Sequence, residues 1–462
     1  MTHPMTRPTT HPPTGGITRV VAASLIGTTV EWYDFFLYGS AAALVFNTLF
    51  FPADDPLVGT LIAFVTYAIG FAARPLGGIV FGHFGDRTGR KKLLVVSLLM
   101  MGGATFAMGL LPTYDTIGVA APILLTVLRL VQGFALGGEW GGAVLLVSEH
   151  GGADRRGFWA SWPQCGAPGG NLLATGVLAL LAAVQSEADF RAWGWRIPFL
   201  LSGVLVLIGL WVRVSVTESP VFLQARAAAE AGAAPEHAPR TPVTDVLRRN
   251  WREVLTAMGT RFGENVSYYV LTSFLLVYVT THLHLSKSTA LNAVLIGSAA
   301  HFVTIPLWGA LSDRAGRRPV TLIGSAGMAL WAFAFFALLD TRSFAAITAS
   351  VTVGLVLHGA MYGPQAAFVS EMFDTRVRYS GASLGSQLSS IAAGALAPVI
   401  AVELLKTYRS PTPIALYLCL AAVVTSVTVA LARETRGRDL ARSAPQGAAG
   451  GDRAPLTGAE PT

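Results

Sequence analysis

Cysteine is nearly absent from this 462-residue chain: Cys165 and Cys419 are the only two, each inside an apolar run. Their spacing supports neither a disulfide framework nor a metal site, and each thiol reads as a small hydrophobe. Charge is scarce as well. Only 13% of the residues are Asp, Glu, Lys or Arg, against about 25% in soluble domains. Most of the molecular surface therefore meets something other than water. No Walker-type Gly-Lys-Ser/Thr run occurs, so ATP-driven chemistry has no support. The nine histidines lack metal-ligand spacing. His282 and His284 fall at a loop, and His301 and His358 in apolar runs, where a surface or core histidine is the simpler reading. No nucleophile–base constellation stands out. The expectation is a non-enzyme without cofactor or metal. Residues 1–18 lack the charged-then-apolar pattern of a cleaved signal peptide, which leaves membrane targeting to the first helix.

What is abundant is apolar sequence, 52% of the chain. Runs of about 20 residues suffice to cross a hydrocarbon core as helix. Twelve are read at 21–50, 57–81, 93–112, 117–148, 158–184, 197–216, 252–281, 288–311, 319–339, 343–370, 380–405 and 412–432. The fold class expected is an all-α polytopic membrane protein. Its sections are a disordered cytoplasmic N-terminus (1–18), a six-helix bundle (19–216) and a cytoplasmic linker rich in Ala and Pro (217–251). A second six-helix bundle (252–432) and a disordered cytoplasmic tail (433–462) follow. The net charge of +7 is a topology signal, not a nucleic-acid footprint. One side of the twelve runs carries most of the basic residues. The other carries only Arg191, Arg196, Lys287, Arg342, Lys406 and Arg409. The positive-inside rule puts the richer side, and both termini, in the cytoplasm. Arg74, Arg129 and Arg261 remain inside the apolar runs.

The two halves repeat. Gly82-His83-Phe84-Gly85-Asp86-Arg87-Thr88-Gly89-Arg90-Lys91-Lys92 returns in worn form as Gly309-Ala310-Leu311-Ser312-Asp313-Arg314-Ala315-Gly316-Arg317-Arg318-Pro319. Both are read as short cationic loops between apolar runs. Ser148-Glu149 with Arg156 matches Ser370-Glu371 with Arg378, again in order. Two motifs repeated in order argue for parallel six-helix repeats, with a substrate site between them near the midplane.

These residues resemble a known family. The repeated loop is similar to the signature of the major facilitator superfamily. Glu31-Trp32-Tyr33-Asp34-Phe35-Phe36-Leu37-Tyr38-Gly39, Arg74-Pro75-Leu76-Gly77-Gly78 and Arg129-Leu130-Val131-Gln132-Gly133-Phe134-Ala135-Leu136-Gly137-Gly138-Glu139-Trp140-Gly141-Gly142 resemble its metabolite:proton symporters. That family includes shikimate, α-ketoglutarate and proline/betaine transporters. The resemblance runs from about residue 19 to 432. It implies a major facilitator fold of twelve transmembrane helices and proton-coupled uptake of a small metabolite by alternating access. An organic acid is the favoured cargo.

Desolvation makes the buried charges the candidate site, because a charged group inside a bilayer is costly unless paired, solvated or neutralised. Glu31 lies one helical turn before Asp34, so two acids share one face. The resemblance makes Asp34 the proton acceptor and Arg129 its partner; a static ion pair between the same two helices is the alternative. Arg74, about 12 Å along its helix from Gly82, either binds an anionic substrate or pairs with Glu31 or Glu139. Glu139 is read as a second proton site or a substrate contact, or else as a structural hydrogen bond. Arg261 and Glu264, three apart, either line the cavity or neutralise each other. Gln132 and Tyr268 are further candidate substrate contacts. Gly82, Asp86, Arg90, Glu149, Arg156, Asp313, Arg317, Glu371 and Arg378 are assigned to a cytoplasmic gate. The partners expected are a small-molecule substrate, protons and the lipid bilayer, with no nucleic acid and a monomeric chain. A drug:proton antiporter is the main alternative. Cys165-Gly166-Ala167-Pro168-Gly169-Gly170 is similar to the helix 5 motif of those exporters but lacks its Gly-Pro order. A transporter-like solute sensor is a second, without the soluble signalling domain that reading needs.

Overall fold

The computed structural model describes residues 14–88, 90–137, 153–215, 248, 250–373 and 378–438. Among them twelve helical rods follow one another and no strand occurs. We number them α1 (Thr14–Ala41), α2 (Pro56–Thr88), α3 (Arg90–Leu110), α4 (Ala120–Leu136), α5 (Arg156–Val184) and α6 (Arg196–Ser215). The second set is α7 (Trp251–Tyr269), α8 (Lys287–Ala315), α9 (Arg317–Asp340), α10 (Phe344–Met372), α11 (Arg378–Ser389, resuming as Leu396–Tyr408) and α12 (Thr412–Leu431). By length and composition, seven helices among the described residues can cross a membrane, and one bent pair ending in α6 adds an eighth. α1 and α7 are not among them. These two carry Glu31, Asp34, Arg261 and Glu264, and polar residues placed for work lower their hydropathy.

Packing repeats with a period of six helices. α1 packs on α5, α2 on α4 and α3 on α6; equivalently α7 packs on α11, α8 on α10 and α9 on α12. This matched pairing is the structural counterpart of the duplicated motifs. The bundles meet chiefly where α8 and α10 lie against α5, and where α11 lies against α2. α1 and α7 each continue into a π-helical turn, Ala42–Phe46 and Val270–Phe274, a wide turn often found at functional sites.

The cationic motifs are not the loops expected. α2 runs through Gly82 and Asp86 to Thr88, and α3 starts at Arg90. In the second half α8 continues through Asp313 to Ala315 and α9 begins at Arg317. Gly316 alone makes the turn, at φ 103°, a conformation that a Cβ would oppose. A single glycine suffices to break the helix, so the flanking residues stay helical.

The tail is also corrected. Disorder was expected from Arg433, yet residues 434–438 are tied to the second bundle. Glu434 accepts backbone hydrogen bonds from Arg317 (2.9 Å) and Arg318 (3.0 Å), the otherwise unpaired first amides of α9. Partial burial pushes the Glu434 carboxyl up, but backbone N–H donors from Arg436, Arg317, Arg318 and Thr435 outweigh it and hold it below the usual carboxylate range.

Candidate substrate and proton site

Aromatic residues from both bundles fill the centre. Trp32 stacks on Phe36 with centroids 5.1 Å apart, and Phe36 meets Tyr268 of α7 at 5.2 Å. Tyr269 reaches Tyr67 and Phe71 of α2 at 6.1 and 5.9 Å. A cavity lies beside this cluster, with Trp32, Arg261, Glu264, Tyr269, His358 and Tyr362 in its wall. Helical periodicity explains the grouping: Arg261, Glu264 and Tyr268 recur every three to four residues along one face of α7.

At the centre of the first bundle two buried arginines have no opposite charge beside them among the described residues. Arg74 is 5% exposed. Its guanidinium lies 4.5 Å from the Phe35 ring centre and 4.1 Å from that of Phe71. Arg129, 1% exposed, faces Phe35, Tyr38 and Tyr67 at 4.4 to 4.8 Å. Such cation–π contacts supply about 0.5–2 kcal/mol each but leave N–H groups unused. Nε and Nη2 of both arginines have no hydrogen-bond partner. Among the described residues neither arginine has a carboxylate partner, so the possible Arg74–Glu31 pair is absent.

Asp34 is fully buried and has no cation beside it among the described residues. Its Oδ1 accepts from Ser202 of α6 at 2.5 Å, and Oδ2 has no partner. The expected Asp34–Arg129 pair is replaced by a bridge. Arg129 donates to Gln132 Oε1. Gln132 Nε2 in turn donates to the Asp34 carbonyl oxygen (3.3 Å) and to Thr105 (2.8 Å). One turn separates Arg129 from Gln132 on α4, so the amide reaches the guanidinium first. Glu31 is buried on the same helix as Asp34. Glu139 lies outside the described residues.

The second bundle surrounds its acid. Glu264 Oε2 accepts from Gln365 (3.0 Å) and Asn265 (3.2 Å), and lies 4.0 Å from Arg261 Nε. Its Oε1 lies 3.3 Å from His358 Nε2. Arg261 also donates to Ser386 of α11 at 3.2 Å. The histidines set aside as core residues are thus part of the site: His358 contacts Glu264, and His301 of α8 contacts His358 at 2.9 Å. Their presence in apolar runs was visible in the sequence. Their convergence was not, because it depends on how α8 and α10 pack.

At the face where α5 begins and α8 ends, four of the residues assigned to the gate, Arg156, Asp313, Arg317 and Glu371, come together. Glu371 is fully buried between two guanidiniums, Arg156 of α5 at 2.8 Å and Arg317 of α9 at 3.2 Å. Arg317 also meets Asp313 at 2.7 Å. Asp313 accepts from the backbone amides of Gly157 (2.7 Å) and Phe158 (2.8 Å), the positive end of α5. Thr435 donates to Glu371 at 2.8 Å, and Arg438 donates to its carbonyl oxygen at 2.9 Å. Arg378 donates from Nε to the Ser370 carbonyl at 3.1 Å. The bundles touch backbone to backbone here: a Cβ on Gly157 would stand 2.6 Å from the Gly309 oxygen. Gly82, Asp86 and Arg90 lie on the α2 and α3 backbones, but their side chains, like all of Glu149, fall outside the described residues. At the opposite face an exposed pair, Lys287–Glu187 at 2.6 Å, links the bundles.

Two six-helix repeats closed over a charged, aromatic cavity, with ion pairs bridging the repeats, define a multi-pass transporter of the major facilitator superfamily. The chain matches the Sugar (and other) transporter family over residues 20–444 and belongs to it. It is 41% identical to the shikimate transporter of Escherichia coli K12 over 90% of this chain and 95% of that protein. The proline/betaine transporter of the same organism is 35% identical, over 93% of this chain and 86% of the relative. Among solved structures, a D-xylose–proton symporter superposes with a TM-score of 0.72, covering 91% of this chain and 99% of that one at 18% identity.

Proposed function

We propose that the protein takes up a small organic acid together with protons, by alternating access, across the bacterial inner membrane. In this reading both termini and the Glu371 gate are cytoplasmic, in line with the excess of basic residues on that side. One protomer suffices. The observation that carries the proposal is the pair of buried guanidiniums, Arg74 and Arg129, with unused N–H groups and no carboxylate partner among the described residues. Guanidinium donors match a carboxylate geometrically and bind it bidentately, so a substrate carboxylate completes what the protein leaves open. The shikimate transporter among the relatives makes a hydroxylated ring acid the first candidate, with a dicarboxylate next.

Coupling follows from Asp34. A bare carboxylate without a cation costs about 3 kcal/mol or more within a bilayer, so Asp34 carries a proton in this conformation. On losing it, Asp34 draws Arg129 away from Gln132, releases the substrate carboxylate and favours return of the empty carrier. Glu371, Arg156, Arg317 and Asp313 hold the cytoplasmic side shut meanwhile. Such a network has two discrete arrangements, made or broken, as alternating access requires.

The test is uptake of labelled shikimate, α-ketoglutarate and proline betaine by cells expressing the protein, with and without a protonophore. Accumulation of an acid that the protonophore abolishes is the expected result. Accumulation indifferent to it refutes symport, and uptake of the betaine alone refutes the acid preference.

A further inference from the structure

We propose that Glu264, His358 and His301 form a second proton-binding site, which takes up one proton by reversing a hydrogen-bonded chain. The proposal deepens the symport reading and rests on it for its purpose, but its geometry stands apart from Asp34. Glu264 Oε1 lies 3.3 Å from His358 Nε2, and His358 Nδ1 lies 2.9 Å from His301 Nε2. The chain ends at His301 Nδ1, a buried nitrogen without a partner. His301 is 0% and His358 1% exposed. A neutral imidazole holds one N–H and one bare nitrogen, so two orientations of the whole chain satisfy the same contacts.

In the first, Glu264 is ionised. His358 donates from Nε2 to Glu264, and His301 donates from Nε2 to His358 Nδ1. The His301 Nδ1 lone pair is free. A proton that binds there lets His301 pass its Nε2 proton to His358 Nδ1. His358 then passes its own Nε2 proton to Glu264. The chain has gained one proton, Glu264 is neutral, and both imidazoles end neutral with their tautomers exchanged. No imidazolium persists, which suits a site deprived of water.

The surroundings support a change of charge confined to Glu264. Among the described residues the cation paired with it is Arg261 of α7, at 4.0 Å. Tyr268 of α7 lies 5.0 Å from the His358 ring and 5.8 Å from that of His301. Tyr362 of α10 is 5.4 and 6.3 Å from the same rings. Tyr269 and Glu264 both belong to the cavity wall, and Cys165 of α5 is the remaining ionisable group nearby. The chain also reaches the other bundle. Gln365, which donates to Glu264, accepts at 3.5 Å from Gln164 of α5. Neutralising Glu264 weakens a contact that leads across the interface, so proton uptake here is felt where the bundles slide.

The test is histidine-labelled NMR of the full-length protein in lipid nanodiscs, without substrate, from about pH 8 to about pH 5. Single His301→Gln and His358→Gln variants assign the signals. The expected result is that both buried histidines exchange tautomer in one shared step. Glu264→Gln should fix both tautomers over the whole range, and Asp34→Asn should leave the exchange intact. Should Glu264→Gln fail to fold, His358→Gln breaks the chain between its two ends and should hold His301 in one tautomer over the same range. A histidine that keeps its tautomer in the wild-type protein, or that titrates alone to imidazolium, overturns the proposal. Loss of the exchange in Asp34→Asn overturns its independence. Uptake insensitive to a protonophore would instead sink symport while leaving these spectra unchanged.

Discussion

The first bundle leaves its central charges open, whereas the second closes its own. Among the described residues Arg74, Arg129 and Asp34 are buried without an opposite charge. Glu264 has four polar neighbours, and Glu371 has two arginines, a hydroxyl and the tail around it. A buried charge left unmatched is expensive, so its persistence points to a partner that arrives and departs. A matched charge needs no visitor, and it holds one conformation against another. The asymmetry separates two kinds of charge among the described residues: open ones at the centre of the first bundle, and in the second bundle acids held within hydrogen-bonded networks.

The harshest way to break this comparison is Asp34→Asn. It should remove protonophore-sensitive accumulation altogether while exchange of substrate across the membrane persists, as measured by counterflow in proteoliposomes. Intact uphill uptake would remove Asp34 from the coupling scheme. Next in size is Glu371→Ala, which strands Arg156 and Arg317. Breaking a buried pair typically costs about 3–5 kcal/mol, enough to empty the state in which this gate is closed. Spin-label distances between the gate ends of α5 and α10 should lengthen, and an unchanged distribution would argue that Gly157 and Gly309 alone hold the face together.

Smaller effects sharpen the contrast. Arg74→Lys keeps the charge but loses the bidentate fork, and should raise the apparent KM for an acidic substrate about tenfold, or about 1.4 kcal/mol, at unchanged protein level. Arg261→Lys, whose charge already has Glu264 beside it, should shift KM by much less. Equal shifts would erase the distinction between the bundles. Smallest of all is Lys287→Gln at the opposite face. An exposed pair contributes about 0–1 kcal/mol, so uptake at physiological salt should change by less than about fivefold.

Much of this was legible in the sequence because desolvation is a strong and local constraint. Apolar length marks the helices, and a charge within such a length marks itself. Arg74, Arg129 and Asp34 could be singled out on those grounds alone, and Glu371 by its place in the repeated motif. Partnership was harder. Glu371 pairs with Arg156, 215 residues away, while Arg378, seven residues on, turns to a backbone carbonyl. The Asp34–Arg129 pairing failed for a related reason: Gln132 is nearer to Arg129 than any acid, and nothing in the spacing ranks an amide above a carboxylate. His301 and His358 were passed over because no local pattern reports that two helices from one bundle press them together. The π-turns after α1 and α7 have no sequence signature that announced them.

The hydrogen bonds of Glu434, Thr435 and Arg438 change where the working protein ends. Hydropathy would place the last essential residue near Leu431, and a fusion joint or deletion designed on that basis would seem harmless. Such a cut would instead strip the cap from α9 and a donor from Glu371, so that a reporter fused there would alter the motion it was meant to report. A joint that spares these hydrogen bonds lies beyond Arg438.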